Sequence, residues 1–109
     1  MASVFDVLDE IRQRPGMYVG SDDSRRLQNL EQLLFGYSLA LRQHHIQEPV
    51  VDFVRELGAY IWRTREWSAS CGPAAAIRAA CTSDQEAWET FWTLVDEFRI
   101  AVLRSQGVS

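Results

Sequence analysis

Lysine is absent from this chain of 109 residues, and all 11 of its basic residues are arginine. Against them stand 15 acidic residues, for a net charge of −4 at pH 7. A chain with this balance repels nucleic acid unless its positive charges are gathered on one face, and no basic stripe occurs. No apolar run approaches the roughly 20 residues that cross a bilayer, so no membrane association is expected. No charged segment followed by an apolar one opens the chain, so no secretory signal is expected and the expected compartment is the cytoplasm. Cysteine is scarce. Cys71 and Cys81 lie ten residues apart, which fits neither a C-x-x-C redox motif nor a zinc site. Both sit among small residues and are expected to stay reduced, filling helix contacts as small hydrophobes. No segment alternates apolar and polar residues with period two over a useful length, which excludes a substantial sheet. Repeats and low-complexity stretches are lacking as well.

Chemistry-bearing patterns are equally thin. His44 and His45 are adjacent and point in different directions on a helix, whereas a helical metal pair needs a spacing of three or four. No G-x-S-x-G occurs, and no local motif links a cysteine to a histidine. The expectation is therefore no catalytic site, no metal and no cofactor.

What is present is a set of helices. Apolar residues make up 47% of the chain and charged residues 24%, ordinary for a globular domain. One domain over 1–109 is expected, ordered over about 3–104. Ser3 with Asp6 resembles a capping box, and Val4, Phe5, Val7, Leu8 and Ile11 follow at helical spacing until Arg14-Pro15 stops the helix. In the segment Arg14 to Gly20, Met17, Tyr18 and Val19 are expected to tuck under the helices. A second helix from about Arg25 to His44 carries Leu27, Leu30, Leu34, Tyr37 and Leu41 in one stripe. A third runs from about Val50 to Arg63 with Phe53, Val54, Leu57 and Ile61 inward. Gly58 in that helix weakens it or lets another segment come close. A loop over 64–72 holds Trp67. Gly72-Pro73 starts a short Ala-rich helix to Ala80, proline occupying its favoured first turn. Ser83 with Glu86 is a second capping box, opening a helix to about Leu103 with Trp88, Phe91, Val95, Phe98 and Val102 inward and Trp92 and Leu94 beside them. The predicted fold is all-α, a compact bundle of four longer helices and one short helix.

Two residue classes are candidates for binding. Asp6, Asp9 and Glu10 on the first helix, and Glu89, Asp96 and Glu97 on the last, oppose the apolar stripes; Asp22 and Asp23 join them from the first loop. Such positions make either an ordinary solvated face or a charged binding face. The chain also carries four tryptophans. Trp88 fits the core, whereas Trp62, Trp67 and Trp92 are readable either as core filler or as interface anchors beside arginine.

The segment Leu8 to Gly20, with Arg14-Pro15-Gly16-Met17-Tyr18-Val19-Gly20, closely resembles the opening of DNA gyrase B-type ATPases. In that family the second helix carries a catalytic glutamate and a magnesium-binding asparagine, and a D-x-G-x-G motif follows. The corresponding stretch here, Phe35 to Leu41, has neither residue, and the later motif is absent. The shared segment is therefore expected to be scaffold, with Pro15 ending one helix and the glycines permitting the turn. Over more of the chain, the order of this segment, a long Leu/Tyr helix, a Trp-bearing middle and the Ser83-to-Phe98 helix resembles small bacterial immunity proteins of polymorphic toxin systems. That resemblance implies a protein that occludes a functional site of a cognate toxin, basic where it is contacted. It carries over scaffold residues only: Arg14, Pro15, Gly16, Met17, Tyr18, Gly20, Phe91, Leu94 and Phe98. The alternative expectation is an adaptor or homo-oligomeric interaction domain, with the chain a monomer or homodimer.

Overall fold

Ser3 stands just before an apolar-periodic segment, and the chain turns helical immediately after it. In a computed structural model that describes residues 3–107, Ser3 Oγ accepts the Phe5 N–H at 3.2 Å while the Asp6 carboxylate accepts the Ser3 N–H at 2.8 Å. This capping box opens α1 (Val4–Gln13), which ends at Arg14, before Pro15. The chain then makes one further helical turn, α2 (Pro15–Tyr18), followed by α3 (Asp23–Gln43), α4 (Phe53–Arg65), α5 (Pro73–Ala80) and α6 (Asp84–Gly107). Six helices and no strand among the described residues make the fold all-α. The additional helix is the Pro15–Tyr18 turn, expected to be irregular. Pro15 sits at its first position, where a missing N–H costs nothing.

α3 organises the bundle, packing on α4, α5 and α6. Leu27, Leu30, Leu34 and Leu41 form its buried stripe, as their spacing predicts. Two polar side chains interrupt that face, and each closes the N-terminus of another helix. Ser38, 2% exposed, accepts the Phe53 N–H at the start of α4. Glu31 accepts the Ala74 N–H at the start of α5 at 2.8 Å, where Gly72 supplies no side-chain cap. Glu48, in the α3–α4 connection, does the same for α1. Its carboxylate accepts the Val4 N–H at 3.0 Å and the Tyr37 hydroxyl at 2.6 Å. Burial first, and then this bond, pushes the Tyr37 hydroxyl pKa well up. The first N–H groups of a helix lack intrahelical partners, so a buried helix start needs such acceptors from elsewhere.

Several expectations are corrected. α4 begins at Phe53 instead of Val50, because Asp52 provides the N-cap by accepting the Arg55 N–H. α6 continues past Leu103 to Gly107. Ser83 caps it through the Glu86 N–H, but the Glu86 carboxylate accepts from Thr82 Oγ1 and does not complete the box on Ser83. Met17 and Tyr18 do not tuck under the helices. They are 70% and 41% exposed, and of that trio only Val19 is buried. The PGMY turn is helical, so its residues fan around an axis and only one edge meets the core. Cys71 is exposed instead of filling a helix contact, and Cys81 is half-buried. Met1 and Ala2, expected to lie outside the ordered domain, fall outside the described residues, as do 108–109.

The core centres on four rings. Phe98 of α6 lies 6.2 Å from Phe5, 5.7 Å from Phe53 and 5.5 Å from Tyr60, so one side chain joins α1, α4 and α6. Gly58 lets the chain beyond α4 come close: a Cβ there would stand 3.3 Å from that of Ala69. No helix among the described residues is long and apolar enough to cross a membrane.

Candidate protein-binding surfaces

The acidic residues proposed as a binding face divide into two groups. Asp9, Asp96 and Glu97 are already engaged. Asp9 binds Arg99 at 3.0 Å and Asp96 binds Arg12 at 2.9 Å, a reciprocal pair of bridges between antiparallel α1 and α6. Each arginine also lies over a ring, Arg12 over Trp92 at 5.2 Å and Arg99 over Phe5 at 5.3 Å. Glu97 binds Arg65 through both oxygens, at 2.8 and 2.7 Å, and accepts the Tyr60 hydroxyl at 3.2 Å. These carboxylates join helices and are not a free surface.

The Arg65 bonds hold the Glu97 carboxyl below its ordinary value of 4.5, against a smaller opposing effect of burial. Burial and the bond to Glu97 push the Tyr60 hydroxyl up. A carboxylate whose folded pKa is depressed stabilises the fold above its unfolded pKa and loses that contribution as pH falls through the folded value. The Glu97 side chain is 37% exposed, so solvent keeps the contribution to no more than about 1 kcal/mol. Glu97→Gln is therefore expected to be less stable than wild type near pH 7, with the gap closing below about pH 4. Urea denaturation of both proteins at the two pH values measures it; a constant gap would contradict the assignment.

The second group is less committed. Asp22 caps α3, its carboxyl lowered by the Ser24 hydroxyl and backbone N–H, and Asp23 pairs with Arg26. Glu89 is exposed, and among the described residues its side chain meets only Gln85, at 3.4 Å. Asp6 and Glu10 share the outward face of α1. With Val7 and Tyr18 they line one shallow depression. Glu10 accepts the Tyr18 hydroxyl at 3.4 Å, and its arginine neighbour Arg14 stands 3.7 Å away in an exposed pair. The Met17 side chain projects from the same turn.

The tryptophans separate cleanly. Trp92 is 5% exposed and packs edge-on against Trp88 and Phe91, so it is core and not a surface anchor. Trp88, assigned to the core by its spacing, is half-buried beneath Arg26. Trp67 is half-buried against the core. Trp62 alone is largely exposed, at 58%. It faces Phe35 of α3, 51% exposed, across a groove floored by Val54, Gly58, Ala59, Ala69 and Pro73. Sequence reasoning did not single out Phe35. The available signal was its phase on α3, outside the stripe of Leu27, Leu30 and Leu34.

The stretch Phe35 to Leu41 thus supplies an exposed aromatic, an exposed Leu39 and the buried cap Ser38. Among the scaffold residues, Arg14 ends α1, Gly20 takes φ +82°, and Phe91, Leu94 and Phe98 are buried, whereas Gly16 has open space around it. No group of three His, Cys, Asp or Glu among the described residues could hold a metal ion. Fold and surface together define a class, an all-helical domain with an acidic, Tyr-bearing knuckle and a separate aromatic groove. Compared with protein-family models, curated proteins and solved structures, the chain has no match.

Proposed function

We propose that this domain is a non-catalytic binding protein of the immunity type, which works in the bacterial cytoplasm by docking on a basic functional site of a cognate toxin. The observation that carries the reading is the knuckle of Met17 and Tyr18 beside Asp6 and Glu10. It combines exposed apolar surface with carboxylates that, unlike Asp9, Asp96 and Glu97, are not consumed by strong bridges between helices. Tyrosine with a carboxylate offers an arginine or lysine both a ring face and an acceptor. Acid balance also speeds encounter with a basic partner.

The test is binding to the product of the neighbouring gene. Glu10→Arg and Tyr18→Ala should each weaken the complex at least about tenfold, since reversing a charge beside an aromatic anchor opposes a basic partner. Both residues are solvent-facing, so unfolding stability should stay within about 0.5 kcal/mol of wild type. A host whose adjacent toxin-like protein does not bind the wild-type domain would sink the proposal.

A further inference from the structure

The exposed face of α4 carries a pattern that the toxin reading leaves unused. Arg55, Ala59, Trp62 and Glu66 follow one another at spacings of four, three and four. That is the spacing of a helix–helix seam: Arg55, Ala59 and Trp62 lie on α4, Glu66 is its left-handed C-cap at φ +60°, and all four are exposed. The row is out of phase with the buried Phe53, Val54, Leu57 and Ile61. Arg55, Ala59 and Trp62 also form one wall of the Phe35–Trp62 groove.

The row is complementary to itself read backwards. If two α4 helices lie antiparallel about a twofold axis between Tyr60 and Ile61, Arg55 faces Glu66 of the second copy and Ala59 faces its Trp62. The large ring meets the small residue, and the positive charge meets the negative one, twice each. Arg55 is free to do this. Its Nε holds Asp52 at 3.3 Å, while the side chain remains 77% exposed, and no other carboxylate bonds it among the described residues. Trp62 of the second copy would reach past Ala59 to the groove floor made by Ala69 and Pro73. Charge favours this face over the rest. Two copies of a chain of net charge −4 repel, but here Arg55 and Arg63 balance Asp52 and Glu66.

We propose that the α4 face with its Phe35–Trp62 groove is a twofold interface that holds a second copy of this chain. The dimer uses none of the knuckle residues Met17, Tyr18, Asp6 and Glu10, and it does not rest on the toxin reading.

Sedimentation of the full chain from about 1 µM to about 1 mM tests it, with affinities taken as ratios of dissociation constants. Wild type is expected to form a reversible dimer. Arg55→Glu and Glu66→Arg should each weaken it at least about tenfold, because every swap places like charges together at two positions. The double variant R55E/E66R should return to within about threefold of wild type, since both pairs are restored with signs exchanged. Trp62→Ala should weaken the dimer about a hundredfold, as loss of a central aromatic is counted twice. Ala59→Arg, which blocks the seat of the opposite ring, should do the same. All four substituted positions are exposed, and helical circular dichroism checks that each variant folds. A wild-type monomer throughout the range overturns the proposal, including the outcome in which another protein fills the groove of that monomer. A dimer indifferent to Trp62→Ala, or a double variant as weak as its parents, overturns it too.

Discussion

Phe98→Ala should cost the fold about 4 kcal/mol, near the middle of the range for emptying a buried phenylalanine site. The ring is 5% exposed and lies within about 6 Å of three others, one on α1 and two on α4. Truncation removes the burial of the ring and three edge or tilted aromatic contacts together. It also leaves a void among Phe5, Phe53 and Tyr60, which are held by their own helices and cannot all close in. For a domain of this size the loss corresponds to a fall in melting temperature of more than about 15 °C. Trp62→Ala removes a larger side chain, yet 58% of that residue is exposed, so its effect on monomer stability should stay within about 0.5 kcal/mol. Urea titrations of the two variants at low protein concentration make the comparison. A loss below about 2 kcal/mol for Phe98→Ala would mean that the rings are not the centre of the core.

The helical stripes were legible because burial against one core imposes a period of 3.6 on each helix. Leu27, Leu30 and Leu34, and likewise Phe91, Val95 and Phe98, are buried where their spacing puts them. What spacing does not reveal is which polar residue has a partner on another helix. Glu31 and Ser38 read as gaps in the α3 stripe, but each is an acceptor for a helix start that only tertiary packing brings to it. Asp9 and Asp96, readable only as a solvated face or a binding face, likewise owe their partners to tertiary packing. A trace of their role exists in the sequence: Asp9 and Arg12 on one helix, and Asp96 and Arg99 on another, have equal spacing and the same order, acid before base. That pattern has meaning only once the two helices are known to run antiparallel. Spacing puts Trp88 on the α6 stripe and Trp92 beside it, yet Trp92 is the more deeply buried of the two, with Arg12 over its ring and Arg26 over that of Trp88. The surfaces were less legible still. Tyr18 was read as core because it sits among apolar neighbours, and a single helical turn was enough to direct it outward.

The start of α5 provides the second large effect. Gly72 has φ +97° and ψ 159°, a region that essentially only glycine occupies. Its Cα faces the Glu31 carboxylate, so that an added Cβ would stand 2.7 Å from Oε1. Gly72→Ala therefore has two costs, backbone strain and displacement of the acceptor that closes α5, together roughly 3–4 kcal/mol. The backbone cannot simply rotate away. The Gly72 N–H donates to Ala69 O at 2.9 Å, and Gly72 O accepts from Ala76 N at 3.2 Å, so a new φ breaks the turn on both sides. Glu31→Ala alone should cost about 1–2 kcal/mol, the value of a lost helix cap with a donor left short of a partner. The two substitutions should not add. With Glu31 shortened, the three nearest atoms to the new methyl are gone, and Gly72→Ala costs chiefly its strain, about 2 kcal/mol. Strictly additive losses in a double-mutant cycle followed by urea denaturation would show that the carboxylate is not seated against Gly72. A coupling of about 1 kcal/mol or more would show that one glutamate of α3 both closes α5 and dictates glycine at position 72.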